Sequence, residues 1–159
     1  MISWLTTTSF GRFVSTFFIS MIPIVELRGG LPYGIGLGLS LPAALAASIL
    51  ANMFPVPFIL FYIRQIFSWM RKHWRKLDGM ITHLESRADE KGDAVRKYGT
   101  WGLLLLVAIP LPGTGAWTGA LVAALLNLPS RRSVPVIFCG VCIAALVVAG
   151  ITLGVIHAF

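Results

Sequence analysis

Two charged residues interrupt the first long apolar segment of the chain. Glu26 and Arg28 lie in the stretch Ile-Pro-Ile-Val-Glu-Leu-Arg-Gly-Gly-Leu-Pro at residues 22–32. A charged side chain at the centre of a bilayer helix costs roughly 2.5–3.5 kcal/mol on insertion scales, and proline and glycine weaken a helix further. Irregular backbone at membrane depth is tolerated only where protein or a watery cavity covers it. The stretch is therefore interpreted as a site rather than as a membrane span.

Glu26 is the only acidic residue outside the polar segment formed by residues 64–97. One interpretation is that Glu26 exchanges a proton during transport, while Arg28 holds an anion or the deprotonated carboxylate. Burial favours the neutral form of a carboxylate, and a neighbouring arginine favours the charged form. The alternative is a structural ion pair, because an unwound backbone at the glycine pair and Pro32 would place both side chains on one side of the chain. Both interpretations stay open at this point.

A second glycine-rich stretch, Ala-Ile-Pro-Leu-Pro-Gly-Thr-Gly-Ala-Trp-Thr-Gly-Ala at residues 108–120, carries no charge. Thr114 is expected to cap a helix that begins after the break, and Thr118 lies one turn further on. The free N–H groups at such a helix start favour a negatively charged group. Trp117 either forms the wall of a binding pocket or only packs. The candidate binding residues here are Pro110, Pro112, Gly113, Thr114, Trp117 and Thr118.

The composition indicates an integral membrane protein with a single membrane domain. Of the 159 residues, 57% are hydrophobic and 12% are charged, whereas soluble domains are about 25% charged. The net charge of +7 does not indicate nucleic-acid binding, because nine basic and five acidic residues are concentrated in segment 64–97. Such a loop between apolar segments is typical of the cytoplasmic side. No nucleophile–base pair or metal cluster can be assembled, so we expect neither an enzyme nor a cofactor.

An internal repeat organises the chain. Ile-Pro-Ile at residues 22–24 corresponds to Ile-Pro-Leu at 109–111, and Ser-Leu-Pro at 40–42 corresponds to Asn-Leu-Pro at 127–129, both at an offset of 87 residues. In each copy, a proline-containing break leads through a glycine-rich stretch to a helix-capping residue and then to Leu-Pro. Because the beginning and the end of the pattern match at the same offset, without a gap, a true repeat is favoured over a chance match.

The apolar helices that follow the two copies, residues 43–63 and 134–156, are each long enough to cross a bilayer, which takes about 20 residues. Lys97 precedes the second copy, and Arg131 and Arg132 follow it. If these charges are cytoplasmic, the second copy enters and leaves the membrane from one side. The predicted fold is all-α: an inverted repeat of two opposed re-entrant hairpins, each followed by a transmembrane helix. The alternative is four full spans, with Arg131 and Arg132 outside.

Segment 64–97 is predicted to be a cytoplasmic connector between two half-repeats at residues 1–63 and 98–159. Its apolar residues from position 66 to position 84 recur at steps of three and four, which is typical of an amphipathic helix on a membrane surface. Residues 85–97 are predicted to form a solvated turn. The expected role of the connector is anchoring and orientation rather than chemistry.

The two broken stretches resemble the two signatures of the small multi-drug export protein family, and the resemblance covers nearly the whole chain. It implies that Glu26, Arg28 and Pro32 are important in this protein. The family is regarded as a distant relative of the DedA superfamily, whose members have two opposed re-entrant hairpins. Some DedA relatives move lipids or lipid carriers across bilayers. The resemblance also implies that transport is coupled to protons. The resemblance implies a multi-pass protein of a bacterial or archaeal plasma membrane.

The predicted function is transport, driven by a proton or another coupling ion, with either export of a small molecule or movement of an anionic, lipid-like substrate. Two alternatives stay open: a flippase for lipids or lipid phosphates, and a non-transporting assembly factor. Arg131 and Arg132 are expected to anchor the chain at the cytoplasmic surface or to contact a lipid phosphate. The expected partners are membrane lipids, the substrate and the coupling ion, and a chain this small favours a homodimer.

Overall fold

The computed structural model describes residues 4–73, 78–111 and 113–158, and within these ranges all regular structure is helical. The prediction of an all-α protein is confirmed. Trp74 and Leu77 of the apolar pattern and Pro112 of the second break lie outside the described residues. The helices are α1 (Trp4–Thr7), α2 (Ser9–Met21), α3 (Glu26–Gly36), α4 (Leu41–Met53), α5 (Pro55–His73), α6 (Asp78–Tyr98), α7 (Thr100–Ala108), α8 (Ala116–Leu125) and α9 (Ser130–Ala158).

Two helical segments are long and apolar enough to cross a membrane, judged by length and composition. They are Leu41–His73, in which α4 and α5 follow one another, and Ser130–Ile156 of α9. These segments contain the apolar stretches 43–63 and 134–156 in which the sequence predicts transmembrane helices. Large apolar side chains cover the outer surfaces of both segments, as expected for helices that face lipid.

The first break separates two antiparallel helices, α2 and α3, which pack directly on each other. Gly30 of α3 lies against Ser20 of α2, and Gly34 lies against Thr16 one turn further along. Glycine lets the two backbones approach closely at these points. The predicted unwinding of the backbone at residues 26–32 is wrong, because α3 already begins at Glu26. Packing against α2 outweighs the low helix propensity of the glycines and the proline.

The second break separates α7 from α8, and the chain doubles back so that Gly119 of α8 lies against Val107 of α7. Helix α7 also packs along α9, where Gly140 lies against the same Val107 side chain and near the backbone of Leu104. Helix α9 also packs against α3, α4 and α8. Its buried residues, which include Ile137, therefore join the two halves of the chain in one hydrophobic core.

Helices α3 and α8 end in the same backbone motif. In each, the residue after a left-handed position donates its N–H to the carbonyl five residues earlier, which is the Schellman motif. The left-handed residues are Gly38 (φ 80°) and Asn127 (φ 55°), 89 positions apart. The predicted pairing of Asn127 with Ser40 as a helix-capping residue is therefore wrong, since Asn127 closes α8. The second break, residues 109–115, is longer than the first, residues 22–25. This difference shifts the helix that follows the second break relative to its counterpart in the first copy.

Residues 85–97 belong to helix α6, so the predicted solvated turn is wrong. Ile81, Ala88 and Val95 recur every seven residues and are almost fully buried, and α6 packs against α7 and α8. The face that they form is narrow, and the charges around it dominate the local composition. Packing of this face, rather than the polar surface, holds the segment in a helix.

We expect Gly30→Ala to destabilise the protein and Gly36→Ala, in the same helix, to leave its stability unchanged or slightly raised. A Cβ atom at Gly30 would meet the hydroxyl and the backbone of Ser20, whereas a Cβ atom at Gly36 would meet nothing within 4 Å. The expected loss for Gly30→Ala is about 1–3 kcal/mol of unfolding free energy, the usual cost of overpacking. Denaturant unfolding in detergent measures both variants. Equal stabilities would contradict the close packing of α2 on α3.

Candidate functional site

Arg28 on α3 reaches across to the second break. Its Nη2 donates hydrogen bonds to the carbonyl oxygen of Thr114 at 2.8 Å and to the Thr114 hydroxyl at 2.7 Å, and Nη1 donates to the carbonyl of Leu111. A guanidinium presents several donors in one plane, which suits such a cluster of oxygens. Within the described part of the chain, Arg28 and Glu26 do not form an ion pair at 4.0 Å or less. Arg28 therefore ties the two halves of the chain together.

Glu26 points at the start of α8. Its side chain is 6% exposed, and its carboxylate occupies the space into which a Cβ atom of Gly115 would project. The backbone N–H of Trp117, in the first turn of α8, is directed toward this carboxylate. The first N–H groups of a helix have no partner inside the helix and carry a partial positive charge. A carboxylate from the first half thus stabilises a helix start in the second half.

The backbone of Glu26 is strained. Its φ of 48° lies in the left-handed region, which costs a residue with a side chain roughly 1–2 kcal/mol. Removal of a carboxylate from water adds a penalty of several kcal/mol unless other groups compensate for it. Strained and desolvated residues are concentrated at functional sites, where the surrounding structure holds them in place. The two costs together identify Glu26 as the leading candidate for a functional residue.

The structure contradicts the prediction that Thr114 caps α8. The cap position is Gly115, which has no side chain that could accept a hydrogen bond from the helix start. The Thr114 hydroxyl oxygen instead lies 2.8 Å from each of the carbonyl oxygens of Ile109 and Leu111, inside the break. This role holds the break in shape, while the carboxylate of Glu26 supplies the interaction that the helix start requires.

A cavity of about 760 Å³ lies beside Glu26 and Arg28. Its volume falls in the range of about 300–1,000 Å³ that small-molecule sites occupy. Both breaks and helices α5, α6 and α8 contribute to its walls. The apolar side chains in its lining include Ile59, Ile63, Phe67, Leu84 and Leu121, and the polar side chains are Glu26, Arg28, Arg87, Lys91, Thr114 and Thr118.

Three cationic side chains line this cavity, and Glu26 is the only acidic side chain among the described residues that line it. Lys91 donates a hydrogen bond from Nζ to the carbonyl of Gly113, and the Thr118 hydroxyl lies 3.0 Å from the same oxygen. With Arg28 on the other side, cationic groups contact the second break from α3 and from α6. The site therefore suits an anionic group beside an apolar surface.

The sequence interpretation missed Arg87 and Lys91, which come from the connector to which it assigned only an anchoring role. Both residues stand in a charge-rich run, where composition does not separate them from solvated neighbours. One signal could have found them: they lie four residues apart, on either side of the buried Ala88. Cations beside a buried apolar position on a helix are closest to whatever that helix covers.

Of the remaining candidate residues, some line the cavity and others lie outside it. Pro110 and Trp117 line the cavity, and the indole Nε1 of Trp117 is buried without a hydrogen-bond partner. Pro32 lies inside α3 and is not among the described residues that form the lining. Arg131 and Arg132 are exposed at the start of α9, where the predicted contact with a lipid phosphate stays a prediction.

Comparison with known protein families gives a match whose range includes most of the residues around this cavity. Residues 26–147 match the family described as "Putative small multi-drug export protein". The matched range begins at Glu26, includes Arg28 and the second break, and continues into α9. The chain matches no curated protein and no solved structure.

Proposed function

Because the chain belongs to the small multi-drug export protein family, we propose that it is a proton-coupled membrane transporter for an amphiphilic anion. The family match and the two long apolar helices make it a membrane protein of the export type. The finer proposal depends on one observation: the cavity of about 760 Å³ combines three cationic side chains with a largely apolar wall.

The anionic group of the substrate binds at Arg28, Arg87 and Lys91, and its apolar body lies along the α5 side of the cavity. Arg28 and Lys91 donate to backbone carbonyls, which are weaker partners than a charged acceptor. An anion can therefore replace these carbonyls. Trp117 adds an indole N–H that has no partner within the described structure and can donate to a substrate oxygen.

Proton coupling follows from the position of Glu26 between the substrate site and the start of α8. While Glu26 is ionised, it repels a second negative charge in the cavity and interacts favourably with the helix start. Protonation removes the repulsion and leaves Arg28 and Lys91 available to the substrate. The proton and the anion then occupy the site together and cross in the same direction, and the concentration gradient of the anion sets that direction.

We further propose that both helix pairs are re-entrant, with α2–α3 entering from outside and α7–α8 from the cytoplasm. Helix α3 has 11 residues and α8 has 10, which at 1.5 Å per residue gives roughly 16 Å, about half of a hydrocarbon core of roughly 30 Å. The contacts of Glu26 and Arg28 with the second break favour a meeting of the two breaks inside the membrane. This arrangement is the inverted repeat expected from the sequence.

Reporter fusions test the re-entrant arrangement. We expect a reporter fused after Arg132 to be active in the cytoplasm and a reporter fused after Leu41 to be active outside, because α7–α8 returns to the side from which it enters. A reporter after Lys97 serves as the cytoplasmic control. Activity of the Arg132 fusion only on the outer side would support four full spans and would overturn the re-entrant proposal.

Replacement of Glu26 tests the proton coupling. In vesicles with the purified protein and a pH-sensitive dye inside, an inward gradient of anilinonaphthalene sulfonate, an amphiphilic anion, is expected to acidify the interior. Glu26→Gln is expected to reduce this acidification to the level of empty vesicles, because glutamine keeps the size of the side chain and an oxygen toward the start of α8 but binds no proton. Glu90→Gln, exposed on α6, is the control. Undiminished acidification with Glu26→Gln would end the proposal of proton coupling.

Replacement of Lys91 tests the charge of the substrate. We expect Lys91→Gln to weaken transport of anilinonaphthalene sulfonate roughly fivefold, equivalent to ~1 kcal/mol for one partly solvated charge contact. Lys97→Gln, at the exposed end of the same helix, is expected to have no effect. Fluorescent phosphatidic acid tests whether the anion is a membrane lipid, and ethidium tests a cationic drug. Transport of ethidium alone by the wild-type protein would refute the assignment of an anionic substrate.

A further inference from the structure

A second, much smaller cavity lies on another side of Glu26. Its volume is about 10 Å³, and the polar side chains in its lining are Glu26, Arg28 and Asn52. Apolar residues of α7 and α9 and the start of α8 close the remainder. A volume of this size accommodates about one water molecule. Glu26 therefore faces a substrate-sized cavity and a water-sized cavity at the same time.

Asn52 on α4 is 1% exposed and is held in one orientation. Its Nδ2 donates to the carbonyl oxygen of Ser48 at 2.9 Å and to that of Ser20 at 3.2 Å. The hydroxyls of these two serines are themselves hydrogen-bonded to each other at 3.0 Å. Because both amide hydrogens are engaged, the amide oxygen is the polar group that Asn52 offers to the smaller cavity.

Two more groups around this cavity are suited to a water molecule. The carboxylate of Glu26 is a strong acceptor, and Ala116, as the first residue of α8, has an N–H with no partner inside the helix. A buried water typically makes two to four hydrogen bonds to polar groups, and these groups with Asn52 supply that number. The guanidinium of Arg28 in the lining opposes a metal cation, so a neutral ligand is favoured.

We propose that the smaller cavity binds one water molecule between Glu26 and Asn52, and that Asn52 is the residue that positions this water. The water donates to the ionised carboxylate and to the Asn52 amide oxygen, and it accepts from the Ala116 N–H. When Glu26 is protonated, its new O–H bond donates to the water, which turns without loss of its own hydrogens. The part of this proposal that concerns proton exchange rests on the proposed transport function.

The charged groups that face Glu26 are few, which makes the water's contribution measurable. Arg28 on the same helix and Lys91 on α6 act on the carboxylate, and Arg87 lines the same large cavity. None of these side chains bonds to Asn52. Replacement of Asn52 therefore changes the hydrogen bonding of the carboxylate without removal of a charge.

Infrared difference spectroscopy on the purified protein in lipid tests the proposal. A pH step in ordinary water and in water labelled with oxygen-18 identifies the stretch of a bound water, and Glu26→Gln identifies the carboxyl band of Glu26. In the wild-type protein we expect an oxygen-18-sensitive band that changes together with the Glu26 band. In Asn52→Leu we expect the water band to be lost and the frequency of the Glu26 band to shift.

A second variant guards against misfolding of Asn52→Leu. Ala144→Val on α9 fills the same cavity from the opposite wall and is expected to remove the same water band while the Asn52 hydrogen bonds remain. Ser133→Ala, which changes a buried serine outside both cavities, is the matched control and is expected to behave as wild type. Retention of the water band in both Asn52→Leu and Ala144→Val would overturn the proposal.

The same set of variants separates this proposal from the transport function. If Glu26→Gln left proton movement intact in vesicles while Asn52→Leu still lost the water band, the transport mechanism would fail and the water site would stand. If Glu26→Gln abolished proton movement while neither cavity variant changed the spectrum, the transport mechanism would stand and the water site would fail.

Discussion

Each of the two backbone breaks in this chain has unpaired polar groups, and charged side chains from the first half interact with those of the second. The rest of the structure depends on this interaction between the halves. A helix start leaves N–H groups without partners, and a broken helix leaves carbonyls without partners. The carboxylate of Glu26 lies against the start of α8, while Arg28 donates to carbonyls of the second break. Both charges, the buried carboxylate of Glu26 and the half-buried guanidinium of Arg28, meet backbone groups of the opposite half. The desolvation cost of either charge is thus offset without a direct ion pair between them.

Small residues permit the close approach of the two halves that these contacts require. Gly115 has a φ of 130°, and a side chain at this position would collide with the carboxylate of Glu26. Gly30 permits α3 to lie against Ser20, which brings the strained backbone of Glu26 close to α4 and α8. Gly30 and Gly115 are therefore required by close contacts between elements, and the packing that they permit compensates for their low helix propensity.

Features that depend on local sequence could be predicted, and features that depend on distant partners could not. The apolar helices and the two breaks follow from hydropathy, and the sheltered position of Glu26 follows from the cost of charge in an apolar segment. The partner of Arg28 could not be inferred, because Thr114 is distant in sequence and is uncharged. Asn127 was misassigned as a helix start, because its short polar side chain suits both an N-cap and a left-handed C-terminal position.

The role of α6 was the largest omission. Residues 85–97 carry charges of both signs, which composition associates with solvent, and only the seven-residue spacing of a few small apolar residues indicates a buried face. That face places Arg87 and Lys91 in the wall of the large cavity. A segment that joins two halves of a membrane protein can therefore supply part of the wall of a large cavity, even where its composition suggests only a surface role.

The tight closures of α3 and α8 determine which parts of the molecule are free to move. Residues 37–40 and 126–129 are the only links between each short helix and the long helix that follows, and both are locked by backbone hydrogen bonds. Neither pair has slack for independent rotation. Each short helix is thus coupled to the long helix that follows it, so a displacement of the first break is passed along α3 into α4, and a displacement of the second break is passed along α8 into α9.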